Sequence, residues 1–378
     1  MKIASKALSA IGVCIISFVL LELALTILDP WLSHGFYVYD PELGFRVRPG
    51  ARGSNSLGFN DRERPARKSD PAAMRVVILG DSFNWKGGKE NYTHLLEREF
   101  TRSSHTPPVE ILNAGFPMTH TGEQLALLKQ TLPLLDPDLV VLAFFAGNDF
   151  LDARPYRKRI IANDAVVDID SRHEMRLFGR PILFRSRAWT LVTQETRQRN
   201  EVVQADEGTL TPEAREHVAR VWLEFFHRET LAGLRFSDRI AFVREQIRAM
   251  REYLQRSGVA FAIVILPDET QVNDRLLARV LDRYGLSRAD YVIDLPQMIV
   301  QRIAREDGIQ SLDLLWGFRE VAARDPASLY QSQGTHWNDK GNQLAASLLL
   351  PWLKERISQL PDRSRMSARQ AHPLEAPR

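Results

Sequence analysis

Arg75-Val76-Val77-Ile78-Leu79-Gly80-Asp81-Ser82-Phe83 decides the fold. Four consecutive apolar residues end on a glycine and then on short polar side chains. A run without alternation belongs to a strand buried on both faces, as in a parallel sheet. Working outward, similar runs recur at 109–113, 139–145 and 260–266, with a weaker one at 310–314. Helical patterns lie between them. Segment 121–135 carries leucines at 125, 128, 132 and 135, the spacing of a buried helical face. Segment 237–256 is amphipathic and charged. Asn338 is placed to cap a last helix through Leu344, Leu348 and Trp352, with a kink expected at Pro351. Alternating strands and helices predict an α/β fold with a parallel sheet covered on both faces.

The remaining chain frames this domain. Its 378 residues, 44% hydrophobic and 26% charged, suffice for a sizeable core. A net charge of +3 provides no field for nucleic acid. The cluster Arg157-Lys158-Arg159 reads as a solvated surface turn. Cys14 is the single cysteine, which excludes an intrachain disulfide and a thiolate metal site. Lys2 and Lys6 precede an apolar run over 7–28 whose one charge is Glu22. As a helix it spans about 33 Å, enough to cross a bilayer. Residues 1–29 are therefore expected to form an uncleaved transmembrane helix, N-terminus cytoplasmic, with the rest exported to the periplasm or beyond the cell. Glu22 at that depth calls for protonation, snorkelling or a partner. A lead segment over 30–73, a main domain over 74–358 with an insertion at about 151–235, and a disordered tail over 359–378 complete the expected organisation. Two helices are expected in or beside the insertion, the first near 211–230.

The chemistry-bearing residues fall at strand ends. Ser82 follows the first strand, where open parallel sheets bind ligands, and a helix start there would favour an alkoxide and an oxyanion. After the second strand, Asn113-Ala114-Gly115-Phe116-Pro117 gives a backbone N–H that can approach a ligand at Gly115. After the third, Gly147-Asn148-Asp149 offers the Asn148 amide as a donor. Gly334-Thr335-His336-Trp337-Asn338 puts an imidazole on a loop before the last helix. Together these pieces make an acyl-transfer constellation. His120, just past the Gly115 block, is a further candidate to line the site. No Gly-x-Ser-x-Gly, His-Glu-x-x-His, P-loop or strand-borne Gly-x-Gly-x-x-Gly occurs, so no metal or cofactor is expected.

Four such blocks in order resemble the SGNH/GDSL hydrolases, a family named for Ser, Gly, Asn and His. The resemblance runs from about residue 75 to 355. Tyr39-Asp40-Pro41-Glu42-Leu43-Gly44-Phe45 and Asn55-Ser56-Leu57-Gly58-Phe59 are also similar to membrane-anchored bacterial members. It implies a three-layer α/β/α sandwich with a parallel, flavodoxin-like sheet. It implies Ser82 as nucleophile, His336 as base, and the Ser82 and Gly115 N–H groups with Asn148 as oxyanion hole, Asp81 supporting. The family places an aspartate three residues before the histidine, and here Gln333 stands there. Three outcomes follow: a Ser–His dyad aided by a backbone carbonyl or the Gln333 oxygen, a carboxylate from Asp268, Asp313 or Asp339, or loss of catalysis. The implied function is a serine esterase acting on O-acyl, chiefly acetyl, esters of exported or cell-surface glycans. A polysaccharide O-acetyltransferase and a non-catalytic glycan-binding or scaffold domain are the alternatives. Expected partners are an ester-bearing glycan, the membrane and envelope proteins, without nucleic acid.

Overall fold

The structure is a computed structural model that describes residues 2–32, 35–51, 53–65, 67–68, 70–85, 90–103, 107–162, 165–173, 176–177, 180–181, 188, 210–324 and 329–360. The chain divides into two compact units, Met1–Gly58 with Tyr156–Thr209, and Phe59–Pro155 with Leu210–Arg378.

In the first unit, α1 spans Lys2–Leu32. Among the described residues no helix is long and apolar enough to cross a membrane, so the expected transmembrane helix gains no support from the fold. Within this helix Glu22 accepts a hydrogen bond from the Ala188 N–H at 3.1 Å. The lead segment forms a hairpin of β1 (Tyr37–Asp40) and β2 (Gly44–Val47). The Asp40 carboxylate turns it by accepting from the Glu42 and Leu43 N–H groups. Gly44 has φ +89°, and a Cβ there would lie 1.8 Å from the Arg159 carbonyl oxygen.

A second hairpin joins β6 (Arg157–Ala162) to β7 (Ala165–Asp170). The basic cluster expected as a turn is thus a strand. Arg157 pairs with Asp168 across the hairpin, and Lys158 Nζ donates to the Pro41 carbonyl at 2.9 Å. A short pair, β8 (Arg176–Leu177) and β9 (Arg180–Pro181), follows.

The second unit holds the sheet. Its strands are β3 (Met74–Gly80), β4 (Val109–Gly115), β5 (Leu139–Phe145), β10 (Ala260–Leu266) and β11 (Gln310–Asp313). All pair in parallel, in the order β4-β3-β5-β10-β11. Numbered along the chain this is 2-1-3-4-5, the flavodoxin-like order, whose switch point lies between β3 and β5. The helices are α2 (Tyr92–Arg102), α3 (Thr121–Leu135), α4 (Asp149–Asp152), α5 (Pro212–Leu223), α6 (Arg228–Leu231), α7 (Ser237–Arg256), α8 (Glu269–Val272), α9 (Asp274–Arg283), α10 (Leu295–Glu306), α11 (Leu315–Ala322) and α12 (Asp339–Ser358).

Val76, Ile78, Val141, Ala143 and Val264 pack on one face with Leu96 and Phe100 of α2 and Leu349 and Leu353 of α12. The alternate residues Val77, Leu79, Val140, Leu142 and Ile263 are buried as well and point to the other face. There α3 packs against α7. Burial on both faces is why the strand sequences show no polar alternation. Asn338 caps α12 by accepting from the Gly341 N–H at 3.0 Å, and that helix runs unbroken through Pro351. The helix expected near 211–230 breaks after Leu223 at a 3-10 turn, Glu224–Phe226, and resumes as α6. Of the expected tail, 361–378 lies outside the described residues.

Candidate active site

Two of the expected residues, Ser82 and His336, meet at the switch point. β3 ends at Gly80, and Asp81 turns the chain, its Oδ1 accepting from the Phe83 N–H at 2.9 Å. Ser82 opens a 3-10 turn, Ser82–Asn84, rather than the helix expected from sequence. The next helix, α2, starts at Tyr92 under its own cap, Asn91. Ser82 therefore has local backbone N–H groups beside it but no α-helical dipole directly behind it.

Asn84 ends this turn and is fully buried. Its Nδ2 donates to the Ile78 carbonyl and to Asn113 Oδ1, and its Oδ1 accepts from the Tyr92 hydroxyl at 2.7 Å. Asn113 in turn donates to the Asn84 carbonyl at 2.6 Å. This amide network welds the end of β3 to the end of β4. It explains Gly115 sterically, since a Cβ there would lie 2.0 Å from Asn84 Cβ. The Gly115 N–H donates to Asn113 Oδ1 at 3.0 Å.

His336 arrives from the far end of the chain. Its Nε2 lies 2.9 Å from Ser82 Oγ. The ring packs against Phe83 at 4.9 Å between centroids, and Phe83 itself sits on Phe145 and Trp337. The Gln333 side chain is exposed and has no hydrogen-bond partner among the described residues; the Gln333 carbonyl accepts from the Leu210 N–H. Asp268 is engaged as the cap of α8, bonding the Thr270 N–H, and Asp313 accepts from the Leu315 N–H at 2.9 Å. Asp339 stands in the first turn of α12. His120 is the cap of α3, its Nδ1 accepting from the Gly122 N–H at 3.0 Å. That helix-capping role was not foreseen in the sequence.

Asn148 follows β5 and precedes α4. Its Nδ2 donates to Asp152 Oδ2 at 3.2 Å, while its Oδ1 is buried without a partner among the described residues. An amide nitrogen has two hydrogens, so one remains for a developing oxyanion. Asp152 was not anticipated, although Asn148 and Asp152 are one helical turn apart.

Carboxylates crowd the ends of these strands. Burial pushes Asp81 up from an ordinary value of 3.8 to about 7, with the charge of Asp152 adding to the shift and the Phe83 N–H opposing it. Asp149 is also held well above the usual range, chiefly by burial and then by the charge of Asp81. Its Oδ2 accepts from the Phe145 N–H at 2.8 Å. The folded protein thus keeps a proton on Asp81 that the unfolded chain releases above pH 3.8. This contribution favours the fold most at low pH, declines as pH rises from 3.8 to about 7, and then levels off. Thermal unfolding across that window should show a smaller decline in midpoint for Asp81→Asn than for the unmodified chain. Equal declines would contradict the assignment.

Residues 220–376 match a family model described as "SGNH hydrolase-like domain, acetyltransferase AlgX". The match includes Gln333 and His336 and begins after Ser82, Gly115 and Asn148. No curated protein sequence matches the chain. Among solved structures, an acetyl xylan esterase, AlAXEase, is similar at 15% identity, covering 73% of this chain and 98% of its own, with a TM-score of 0.40. A lipase/acylhydrolase from Enterococcus faecalis is similar at 14% identity over 75% and 96%, with a TM-score of 0.38. A catalytic mutant of an acetylxylan esterase from Geobacillus stearothermophilus gives 12% identity over 74% and 93%, with a TM-score of 0.40. Over residues 220–376 the chain is thus similar to an SGNH hydrolase-like domain.

Proposed function

We propose that the chain is a serine acyl-ester enzyme in which Ser82 is the nucleophile and His336 the general base. The observation that carries this reading is the 2.9 Å contact between Ser82 Oγ and His336 Nε2 at the switch point of the sheet. His336 takes the proton as Ser82 Oγ attacks the carbonyl carbon of an ester. Negative charge on the former carbonyl oxygen is met by the Ser82 N–H and the second N–H of Asn148 Nδ2. The Gly115 N–H takes no part while Asn113 holds it. His336 then protonates the leaving alkoxide, and acyl-Ser82 remains. Water or a sugar hydroxyl, deprotonated by His336, completes hydrolysis or transfer.

The family description, which names an acetyltransferase, supports acetyl as the acyl group and transfer beside hydrolysis. O-acetylated glycans at the cell surface are the substrate class that fits this reading. A non-catalytic, glycan-binding role is favoured by one observation, the neutral and exposed Gln333. Incubation with p-nitrophenyl acetate, read by intact mass, separates the two. An acetyl adduct is expected on the unmodified protein and absent in Ser82→Ala and His336→Ala. A folded protein that forms no adduct favours binding alone.

We also propose that α1 holds the protein at a membrane, with the sheet-bearing unit on the exported side. Ile15, Ile16, Phe18, Val19, Leu20 and Leu21 are consecutive or nearly so and all exposed, so the helix is apolar around its girth. Lys2 and Lys6 precede this stretch. Alkaline carbonate washing should leave the full chain with membranes and release one beginning at residue 33. Release of both would overturn membrane attachment through α1.

A further inference from the structure

Gln333 leaves the loop that carries His336 without a carboxylate of its own, yet the loop is tied down from outside. At its base the Gln331 N–H donates to the His336 carbonyl at 2.9 Å, and Tyr330 bridges to Trp337. Its tip is held by the segment that leads into α5. The Leu210 N–H donates to the Gln333 carbonyl at 3.0 Å, and Arg215 Nη1 donates to the Ser332 carbonyl at 3.2 Å. Arg215 Nη2 pairs with both carboxylate oxygens of Glu269.

This pair is largely withdrawn from solvent, the side chains being 15% and 5% exposed. Glu269 opens α8 just past the end of β10, and its Oε1 also accepts from Asn273 Nδ2 at 2.9 Å. The Tyr330 hydroxyl adds a second tie to the same turn through the Pro267 carbonyl, at 2.9 Å. One arm of a rigid guanidinium fork is thus fixed to the sheet, and the other grips the loop.

We propose that Arg215, backed by Glu269, is a positioning residue that fixes the 331–336 loop and with it the place of His336 Nε2 against Ser82 Oγ. The proposal rests on the reading of Ser82 and His336 as the reacting pair. Arg215 bonds to neither of them among the described residues, so its effect passes through the loop. Displacement of a reacting group by about 1 Å costs on the order of 10²-fold in rate, which sets the scale of the expected effect.

The test uses the full chain and a fluorophosphonate, which needs no glycan contact. Ser82 Oγ bonds to phosphorus, fluoride leaves and His336 takes the proton. Arg215→Met should label about 10- to 100-fold more slowly than the unmodified protein. Arg215→Lys and Glu269→Gln should fall between, and they carry the test if the methionine variant does not fold. For p-nitrophenyl acetate, kcat should drop by the same factor with KM unchanged. Amide exchange over 331–336 should quicken. In a His336→Ala background, Arg215→Met should slow labelling no further.

Labelling within twofold of the unmodified protein, or the same slowing in the His336→Ala background, would overturn the positioning role alone. An unmodified protein that does not label at Ser82 overturns the acyl-transfer reading, and the positioning role with it.

Discussion

The contact between Ser82 Oγ and His336 Nε2 joins residues 254 positions apart, and the rest of the unit is arranged around keeping it. Ser82 is placed by the end of β3, whose depth is set by burial on both faces and by the Asn84–Asn113 amide network. His336 is placed by a loop clamped between α12, the turn after β10 and the start of α5. Two long-range constraints must hold together for one hydrogen bond to form. That is why the site sits where the strand order reverses, the place at which loops from β3 and β5 diverge and leave room.

Much of this was legible in the sequence because the sheet is parallel and covered. Continuous apolar runs at 139–145 and 260–266 have no other economical explanation, and their bounds coincide with β5 and β10. Leucine spacing located α3, and Asn338 located the start of α12. The four blocks lie at loop positions that topology brings together, so their order carried spatial information. The helix expected after Ser82 failed for a local reason. Asp81 bonds the backbone of its own turn and Asn84 that of β3 at Ile78, and such side-chain bonds compete with helix formation.

What was not legible shares one property: it depends on tertiary pairing without a sequence period. Arg215 lies among many arginines, and nothing near it marks that its fork spans Glu269 and Ser332. The amide network behind Gly115 was equally hidden, since asparagines in turns are common. Glu22 shows the reverse case. Its place in an apolar run was plain, but its bond to the Ala188 N–H was not. A neutral Gln333 was visible from the outset. Its meaning depended on the loop around it, where hydrogen bonds from α5 and its approach hold the loop by its backbone. Such a loop can keep an imidazole in place without a carboxylate on the third residue before it.

The account's central claim is tested most directly by the structure of the protein after reaction with a phosphonate ester inhibitor. It predicts phosphorus on Ser82 Oγ and a phosphoryl oxygen about 3 Å from both the Ser82 nitrogen and Asn148 Nδ2. Phosphorus on any other residue, or an oxygen facing away from Asn148, would contradict it.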